Sequence, residues 1–474
     1  MATALWEAGE DIFRHFFFNG VNARKFWRHH SNHCEWFKQH VDYTCEKKSH
    51  MIPLSLYGDE VQTYKNTECG VVDILGFTSD FAAGHGPMSR YLPIVAISEH
   101  LVCEFTWNDI WQVLVPRLQK MVTDRSWPWS VCGYKFMISS VQGDMKFLND
   151  KFSVHNFRRN QFCSWCMCCK SHNNLSMTLG DFGEHSAHRA TVMTHEQFMQ
   201  SGAEGSRHII FNLPGLSVHR FLHDVCHSQL LGTGKTLNGS GLIYLAEAGH
   251  FGLWSPAGKY HEVLEPLLRK AFKSFCDFKK AHKLTASQPR FTPARCNRTL
   301  RASWACLSSK AIASKVITFW LTAELDAFAG RADANELDKQ VALCFWTYAQ
   351  LLQIMDKNPL ILDDAVAEDF FQTGMHHLCL YGALRRRSAQ TFGPTALLRH
   401  MFLLLPKHHH LEHLLFDVRA TKVNPRFFTL LCAESWIGLV GRCAKACHRA
   451  SLSDRVLQRY LVKLGLHLQK LPRH

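Results

Sequence analysis

No apolar run in this 474-residue chain approaches the ~20 residues needed to cross a bilayer. The richest, Ile317–Leu321 and Met401–Leu405, are far shorter. The opening MATALWEAGEDIF is acidic and lacks a basic segment followed by an apolar stretch, so it does not read as a secretory signal. No membrane partner is expected. Internal repeats and low-complexity segments are absent too, which argues against a repeat array or a disordered tail. Acidic residues are in short supply. Asp plus Glu total 40 against 54 Lys plus Arg, a formal charge of +14 before any of the 30 His is protonated. Such an excess points to a polyanion, nucleic acid ahead of an acidic membrane surface, although many basic globular proteins bind neither. With 46% hydrophobic and 20% charged residues the chain is globular. At roughly 150 residues per domain it has room for about three units, or for one core with a large insertion. Cysteine is plentiful at 18. Without a secretory signal these are expected to be reduced thiols of the cytosol or nucleus, mostly small core residues.

Residues 1–50 read as helical and carry large aromatics, Phe13, Phe16, Phe17, Trp27, Trp36 and Phe37. They suit a docking helix pair or the stub of a longer N-terminal region. From residue 51 the pattern turns strand-like. Met51–Tyr57 is a first apolar run, stopped by Gly58-Asp59; Gly70–Thr78 and Tyr91–Val102 come next. An amphipathic helix is expected over Trp107–Met121, where Ile110, Trp111, Leu114, Val115 and Leu118 fall at helical spacing. A fourth strand, Tyr134–Val141, leads into Gly143-Asp144. Residues 145–250 are mixed and include a short strand, His208–Leu213. From about 260 to 400 only helices are expected, Tyr260–Lys280, Ala311–Ala329, Ala334–Met355 and Asp363–Arg387, with a last pair at Phe427–Ala450 and Leu452–Leu468.

Four constellations could carry chemistry. Asp59 and Asp144 each follow a strand. Three consecutive strands form an antiparallel meander, and a fourth returning parallel beside the first would bring the two carboxylates together. They would repel unless a divalent cation such as Mg²⁺ lay between them. The plainer reading is a Gly-Asp turn after each strand. Glu434 shares one helical face with Gly438, Arg442, Lys445 and Arg449, all within about 80° at 100° per residue. A metal site facing a phosphate backbone or a solvated salt-bridged face would both look like this. Cys163-Ser-Trp-Cys166 is half of a tetrahedral zinc site, to be completed by Cys168/Cys169 with His172, or by His185 and His188; buried or redox-active thiols are the alternative. His223 and His227 would share a helical face with Asp224 beside His227, as a metal set or an ordinary helix start. The nearby Gly232–Thr236 is not a phosphate loop, because Gln229 stands where that loop needs glycine. Lys407–His413 reads as a phosphate-facing surface or a solvated helix start.

Together these blocks resemble transposases with an Asp-Asp-Glu triad on a ribonuclease-H-like core, in the assemblage that includes the CACTA and Kyakuja–Dileera–Zisupton elements. Ile52–Gln62 (IPLSLYGDEVQ) looks like the first catalytic strand. Gly143-Asp144, nineteen residues before Cys163, looks like the second block with its following Cys-Pro-x-Cys. Leu222–Gly232 (LHDVCHSQLLG) is similar to the family's Asp-x-x-His block, and Pro406–Leu414, Asn424-Pro425 and Glu434–Arg442 to its terminal Glu block. The likeness spans most of residues 51–465 as spaced blocks. Ser164 departs from the usual Pro, Ser435 stands where relatives carry a second acid, and no N-terminal DNA-binding finger is seen.

The resemblance implies an α/β ribonuclease-H-like mixed sheet with a large all-helical insertion before the last catalytic helix. The expected units are an N-terminal helical segment (1–50), the first part of the core (51–160), a Cys/His-containing mixed region (161–258), the helical insertion (259–405) and C-terminal helices completing the core (406–474). Asp59, Asp144 and Glu434 would be the catalytic acids and hold Mg²⁺ or Mn²⁺. Cys163 and Cys166 would hold structural zinc. Arg442, Lys445 and Arg449 would contact DNA, and His223, Asp224 and His227 form a motif without an assigned role. The expected partners are DNA, as transposon ends and target, and further copies of the chain in a homo-oligomer, in the nucleus. An inactive or truncated element copy, a non-catalytic DNA-binding derivative and a zinc-organised scaffold are the rival readings.

Overall fold

The computed structural model describes residues 1–471 apart from 20, 39–49, 64–69, 83–85, 125, 127, 128, 156, 202–206, 256, 394, 395, 449 and 450. It is a mixed α/β structure built on a four-stranded sheet. The N-terminal helices are α1 (Ala2–Ala8), α2 (Glu10–Phe17), α3 (Ala23–His33) and the short α4 (Glu35–Lys38). They dock rather than project: Phe13, Phe16 and Phe17 are buried, and Phe17 meets Phe136 of the sheet at 5.4 Å between ring centroids. The side chain of Trp36 lies outside the described residues.

The strands are β1 (Met51–Gln62), β2 (Val71–Ser79), β3 (Leu92–Ser98) and β4 (Lys135–Gln142), in the order β3-β2-β1-β4. β1 pairs antiparallel with β2 and β2 with β3, whereas β4 runs parallel to β1. The meander and the parallel return are therefore as the pattern of runs suggested. Two boundaries differ. β1 does not stop at Gly58-Asp59 but continues to Gln62, because β2 stays paired alongside it through Asp59↔Ile74 to Gln62↔Val71. β3 is shorter than Tyr91–Val102 and gives way to a 3₁₀ turn at Glu99–Leu101. Helix α5 (Thr106–Thr123) packs on the sheet and carries the chain to β4. Helix α6 (Met145–Phe152) begins directly after β4.

The pairing of β1 with β4 is interrupted once. Leu54↔Ile138 is succeeded by Ser55↔Ser140, so Ser139 is an extra residue. Since side chains alternate across a sheet, one inserted residue exchanges the two faces of β4 beyond it. Past the bulge Tyr57 lies opposite Gln142. β4 ends there, and Asp144 follows two residues later as the cap of α6, as Asp59 follows Tyr57 on β1.

Residues 153–225 are mainly turns, with α7 (His195–Gln200) the longest helix. The expected strand at His208–Leu213 is instead a 3₁₀ turn, Ile209–Asn212. The His208 ring accepts the Ile210 N–H, and Pro214-Gly215 ends the segment before it can find a sheet partner. A π-helix, Cys226–Thr233, runs straight into α8 (Gly234–Glu247), which is buried on nearly every side. Gly232–Thr236 is thus helical, and no phosphate loop forms there. Around α8 lie α9 (Tyr260–Ala281), α10 (Ala311–Ala329), α11 (Glu336–Lys357) and α12 (Asp364–Ala389). Residues 282–310 do not continue the helices, since Pro289 and Pro293 interrupt them. They are held by the buried Arg298, which pairs with Glu247 at 2.8 Å and also donates to the carbonyls of Arg301 and Ser303.

The chain closes with α13 (Pro406–Thr421), α14 (Leu431–Ala444) and α15 (Leu452–Leu468). α14 is shorter than the expected Phe427–Ala450, because Pro425–Phe428 forms a separate 3₁₀ turn before it. Pro425–Ala444 is long and apolar enough to cross a membrane by composition, but here its apolar side faces the sheet. Trp436 stacks on Tyr91 at 5.5 Å and meets Tyr57 of β1 edge-on at 6.0 Å. Most of the sheet and helices share one apolar core, and a second, smaller cluster joins Phe26 and Trp27 of α3 to Phe81, Val122 and Met137.

Candidate functional site

Asp59, Asp144 and Glu434 converge beside the ends of β1 and β4. Asp59 is held in its strand, where Oδ1 accepts the Glu60 N–H at 2.7 Å and Oδ2 the Tyr57 hydroxyl at 3.1 Å. Asp144 caps α6, with Oδ1 accepting the Phe147 N–H at 2.6 Å. The two residues before these acids are glycine for a packing reason. A Cβ on Gly58 would lie 1.9 Å from the Phe147 ring, and one on Gly143 2.8 Å from it. Only hydrogen at both positions lets α6 sit this close over the strand ends. Glu434, in the first turn of α14, is brought in by the packing of Trp436 on Tyr57 and Tyr91.

Electrostatics report how near the three acids are. The Asp59 carboxyl is pushed up to about 7, first by burial, then by the charge of Glu434, with a further contribution from Asp144. Backbone N–H donation from Glu60 opposes this and is outweighed. The cluster is open to solvent: the Glu434 side chain is 39% exposed, and Asp59 and Asp144 are half-buried. The charges of Glu434 and Asp144 thus both act on Asp59, but among the described residues the Cys/His/Asp/Glu groups close enough to hold a metal do not include these three acids together. Arg442, two turns beyond Glu434 on α14, and Lys445, at the C-terminal end of that helix, are exposed; Arg449 lies outside the described residues.

The His223/Asp224/His227 motif is not one helical face. The helix begins after Asp224, so the two histidines part. His223 turns inward, its ring stacked on His410 at 4.2 Å and tilted on Trp165 at 4.4 Å, and burial lowers it to about 3. His227 turns toward the acids. Its Nδ1 lies 2.8 Å from Asp224 Oδ2, and its Nε2 3.3 Å from Glu434 Oε1. Burial would lower His227, but Asp224 and Glu434 together outweigh this and raise it to about 10. Asp224, Cys226 and His227 bring three possible ligand atoms within 4.8 Å of one another, but the Asp224 oxygens are already engaged. Oδ1 accepts the N–H groups of Cys226 (2.9 Å) and Leu430 (2.8 Å), and Oδ2 accepts the N–H of His227 (2.8 Å) besides its ring. That fills the carboxylate's acceptor sites.

A second centre lies inside the protein. The Sγ atoms of Cys163 and Cys166 face Nε2 of His413 and His409, with all four ligand atoms mutually within 4.8 Å and all four residues buried. The contacts are Cys163–His413 at 3.3 Å, Cys166–His409 at 3.3 Å and Cys166–His413 at 3.5 Å. A tetrahedral zinc with Zn–S of about 2.3 Å and Zn–N of about 2.0–2.1 Å requires S···N edges of about 3.5 Å. The donor set thus fits zinc in size and chemistry. Without a cation the neighbouring Cys163 thiol and burial push Cys166 far up, so two thiolates here need a metal's charge. His409 turns its other nitrogen to Glu412 Oε2 at 2.9 Å, and the same oxygen takes His188 Nε2 at 2.9 Å. A carboxylate behind a ligating imidazole fixes its orientation.

The second half of this centre is not where the cysteine spacing placed it. His172 and His185 are exposed, the Cys169 thiol turns to the Met177 carbonyl, and His188 backs His409 through Glu412. Cys168 forms a further close group with His188 and His409, but His409 completes only one site, and the four-donor set is the tetrahedral one. The Lys407–His413 run is neither a surface nor a solvated helix start: His408, His409, His410 and His413 are all buried. Its signal was present in the sequence. His409 and His413 are four apart, so a helix places them on one face. Lys407, at the start of α13, sits half-buried where burial and the charge of Lys235 lower it, with Asp144 and Asp224 close enough to act in the opposite sense. The same helix thus reaches both centres. No protein-family model matches the chain, and no curated protein matches it either.

Proposed function

We propose that this chain is a metal-dependent DNA strand-cleaving and strand-joining protein of the transposase type, with Asp59, Asp144 and Glu434 as its acids on a ribonuclease-H-like core. One observation carries the reading: Asp59 on β1 and Asp144, the α6 cap two residues past the end of the parallel β4, lie with Glu434 near enough that both charges raise Asp59. Three mutually repelling carboxylates cost stability and are explicable as ligands for divalent cations. Mg²⁺ or Mn²⁺ held there would supply activation of a water or a 3′-hydroxyl and stabilisation of the leaving oxygen. The protein's own part is placement. The β1 backbone and the α6 cap fix two carboxylates, and α14 delivers the third from the far end of the chain. The exposed Arg442 and Lys445 would contact a phosphate backbone, with salt-dependent and weakly sequence-specific affinity. Lys407 and Lys235 add positive charge at the inner edge.

In this reading residues 259–405 are the helical insertion, and structural zinc on Cys163, Cys166, His409 and His413 joins the Cys/His region before it to α13 after it. All four donors come from the protein, so the zinc has no open position for substrate. A scaffold organised by zinc alone accounts for that tetrad but leaves the acidic cluster without a purpose. DNA as partner, a nuclear site of action and a homo-oligomer follow from the same reading. The test is nicking of labelled duplex DNA with Mg²⁺ or Mn²⁺. Cleavage by the parent and none by Asp144→Ala is the expected result; equal cleavage by both overturns the assignment.

A further inference from the structure

The Asp224–His227 pair touches the acidic site, with the Asp224 carboxylate already engaged by backbone N–H groups. Asp224 Oδ1 receives Leu430 N–H at 2.8 Å, and Leu430 immediately precedes α14. Its other oxygen holds the His227 ring by Nδ1 at 2.8 Å, which leaves Nε2 directed at Glu434 Oε1, 3.3 Å away. One buried carboxylate therefore anchors both the start of the helix that carries Glu434 and the ring that faces the Glu434 side chain. The local chain geometry serves this arrangement. Asp224 caps the π-helix that begins at Cys226, and π-helical turns are rare and concentrate at functional sites.

We propose that His227, oriented by Asp224, is a positioning residue that selects the Glu434 side-chain conformation competent to bind the divalent cation. This rests on the reading of Asp59, Asp144 and Glu434 as a cation site. Glu434 needs such help more than its partners do. Asp59 and Asp144 each accept a hydrogen bond from their own local backbone, whereas Glu434 is a longer side chain, 39% exposed, in the first turn of a helix. Three side-chain torsions must be fixed for its oxygens to meet a metal, and His227 constrains the end of that chain. Groups behind metal ligands typically alter metal affinity by 10–100-fold when removed.

The direction of the effect separates positioning from simple charge. Removing a ring that merely crowds or repels a cation should leave metal binding unchanged or tighten it. Losing an oriented ligand should weaken it. The experiment measures Mn²⁺ binding to the zinc-replete, DNA-free full chain by electron paramagnetic resonance, for the parent, His227→Ala, His227→Gln and Glu434→Ala. Thermal melting serves as the fold control. The expected result is Mn²⁺ affinity about 10-fold or more weaker in His227→Ala. His227→Gln, whose amide can still donate to Glu434, recovers part of the loss. Unchanged or tighter binding in a folded His227→Ala overturns the proposal; should that variant not fold, the same comparison on His227→Gln decides it, with parental or tighter affinity counting against. Parental Mn²⁺ binding in Glu434→Ala would instead overturn the underlying cation-site reading, whatever His227 does.

Discussion

His413→Ala removes one of four donors from the buried Cys/His centre, and the size of the consequence is set by where those donors lie in the chain. Cys163 and His413 are separated by 250 residues. A cross-link closing a loop of that length restricts the unfolded chain by about 5 kcal/mol in the loop-entropy relation used for disulfides. Net stabilities of folded domains are only about 5–15 kcal/mol. At roughly 2–4 °C per kcal/mol, the rate for units of 150–250 residues, losing the link lowers the melting temperature by on the order of 10 °C. The assay is elemental analysis of the purified protein alongside thermal melting, with His185→Ala as control because His185 is exposed and outside the tetrad. The parent should carry one equivalent of zinc and the control should match it. His413→Ala should lose the zinc and melt early, and a strong chelator should reproduce that shift in the parent. A His413→Ala protein with a full equivalent of zinc and parental melting would refute both the ligand assignment and the cross-link argument.

The acidic site carries further expectations. Asp59 holds its proton more tightly folded than unfolded, so between about pH 4 and 7 the native state binds more protons and metal-free stability falls as pH rises. At ~1.4 kcal/mol per pKa unit the loss is a few kcal/mol. Asp59→Asn should lack that part of the slope in pH-dependent denaturation curves, and an unchanged slope would show that Asp59 is not raised. Gly58→Ala forces a methyl group to within 1.9 Å of the Phe147 ring and should lower stability by about 1–3 kcal/mol. Phe147→Ala in the same chain should make that substitution nearly neutral, and additive losses in the double variant would contradict the steric account.

Much of the sheet was legible because its strands are apolar runs bounded by turn residues, and because a meander with a parallel return brings the first and fourth strands together. The bulge at Ser139 was not legible. It arises from pairing between two strands 85 residues apart, and no local pattern marks it, although it shifts the register of the last three paired residues of β4, just before Asp144. His208–Leu213 misled for a related reason, since an apolar run becomes a strand only where a partner edge exists. The zinc half-site Cys163/Cys166 showed itself by spacing, but its completion by His409 and His413 lies across some 250 residues of chain, and the nearer histidines competed for the assignment. A run as polar as Lys407–His413 reads as surface in isolation. It is buried because its imidazoles meet thiols, a carboxylate and other rings. Asp224 illustrates the limit from the other side. Its spacing to His227 was visible, whereas the bond to Leu430 that anchors α14 depends on tertiary contact alone.

The central claim is that Asp59, Asp144 and Glu434 act together on the DNA backbone through divalent cations. The most direct measurement is cleavage of labelled DNA by the zinc-replete full chain in Mg²⁺ or Mn²⁺, run beside Asp59→Ala, Asp144→Ala and Glu434→Ala proteins of parental fold. Strand cleavage by the parent, dependent on the added metal and lost in all three variants, is the expected result. Cleavage that survives any one of the three substitutions, or no metal-dependent cleavage by the parent, would contradict it.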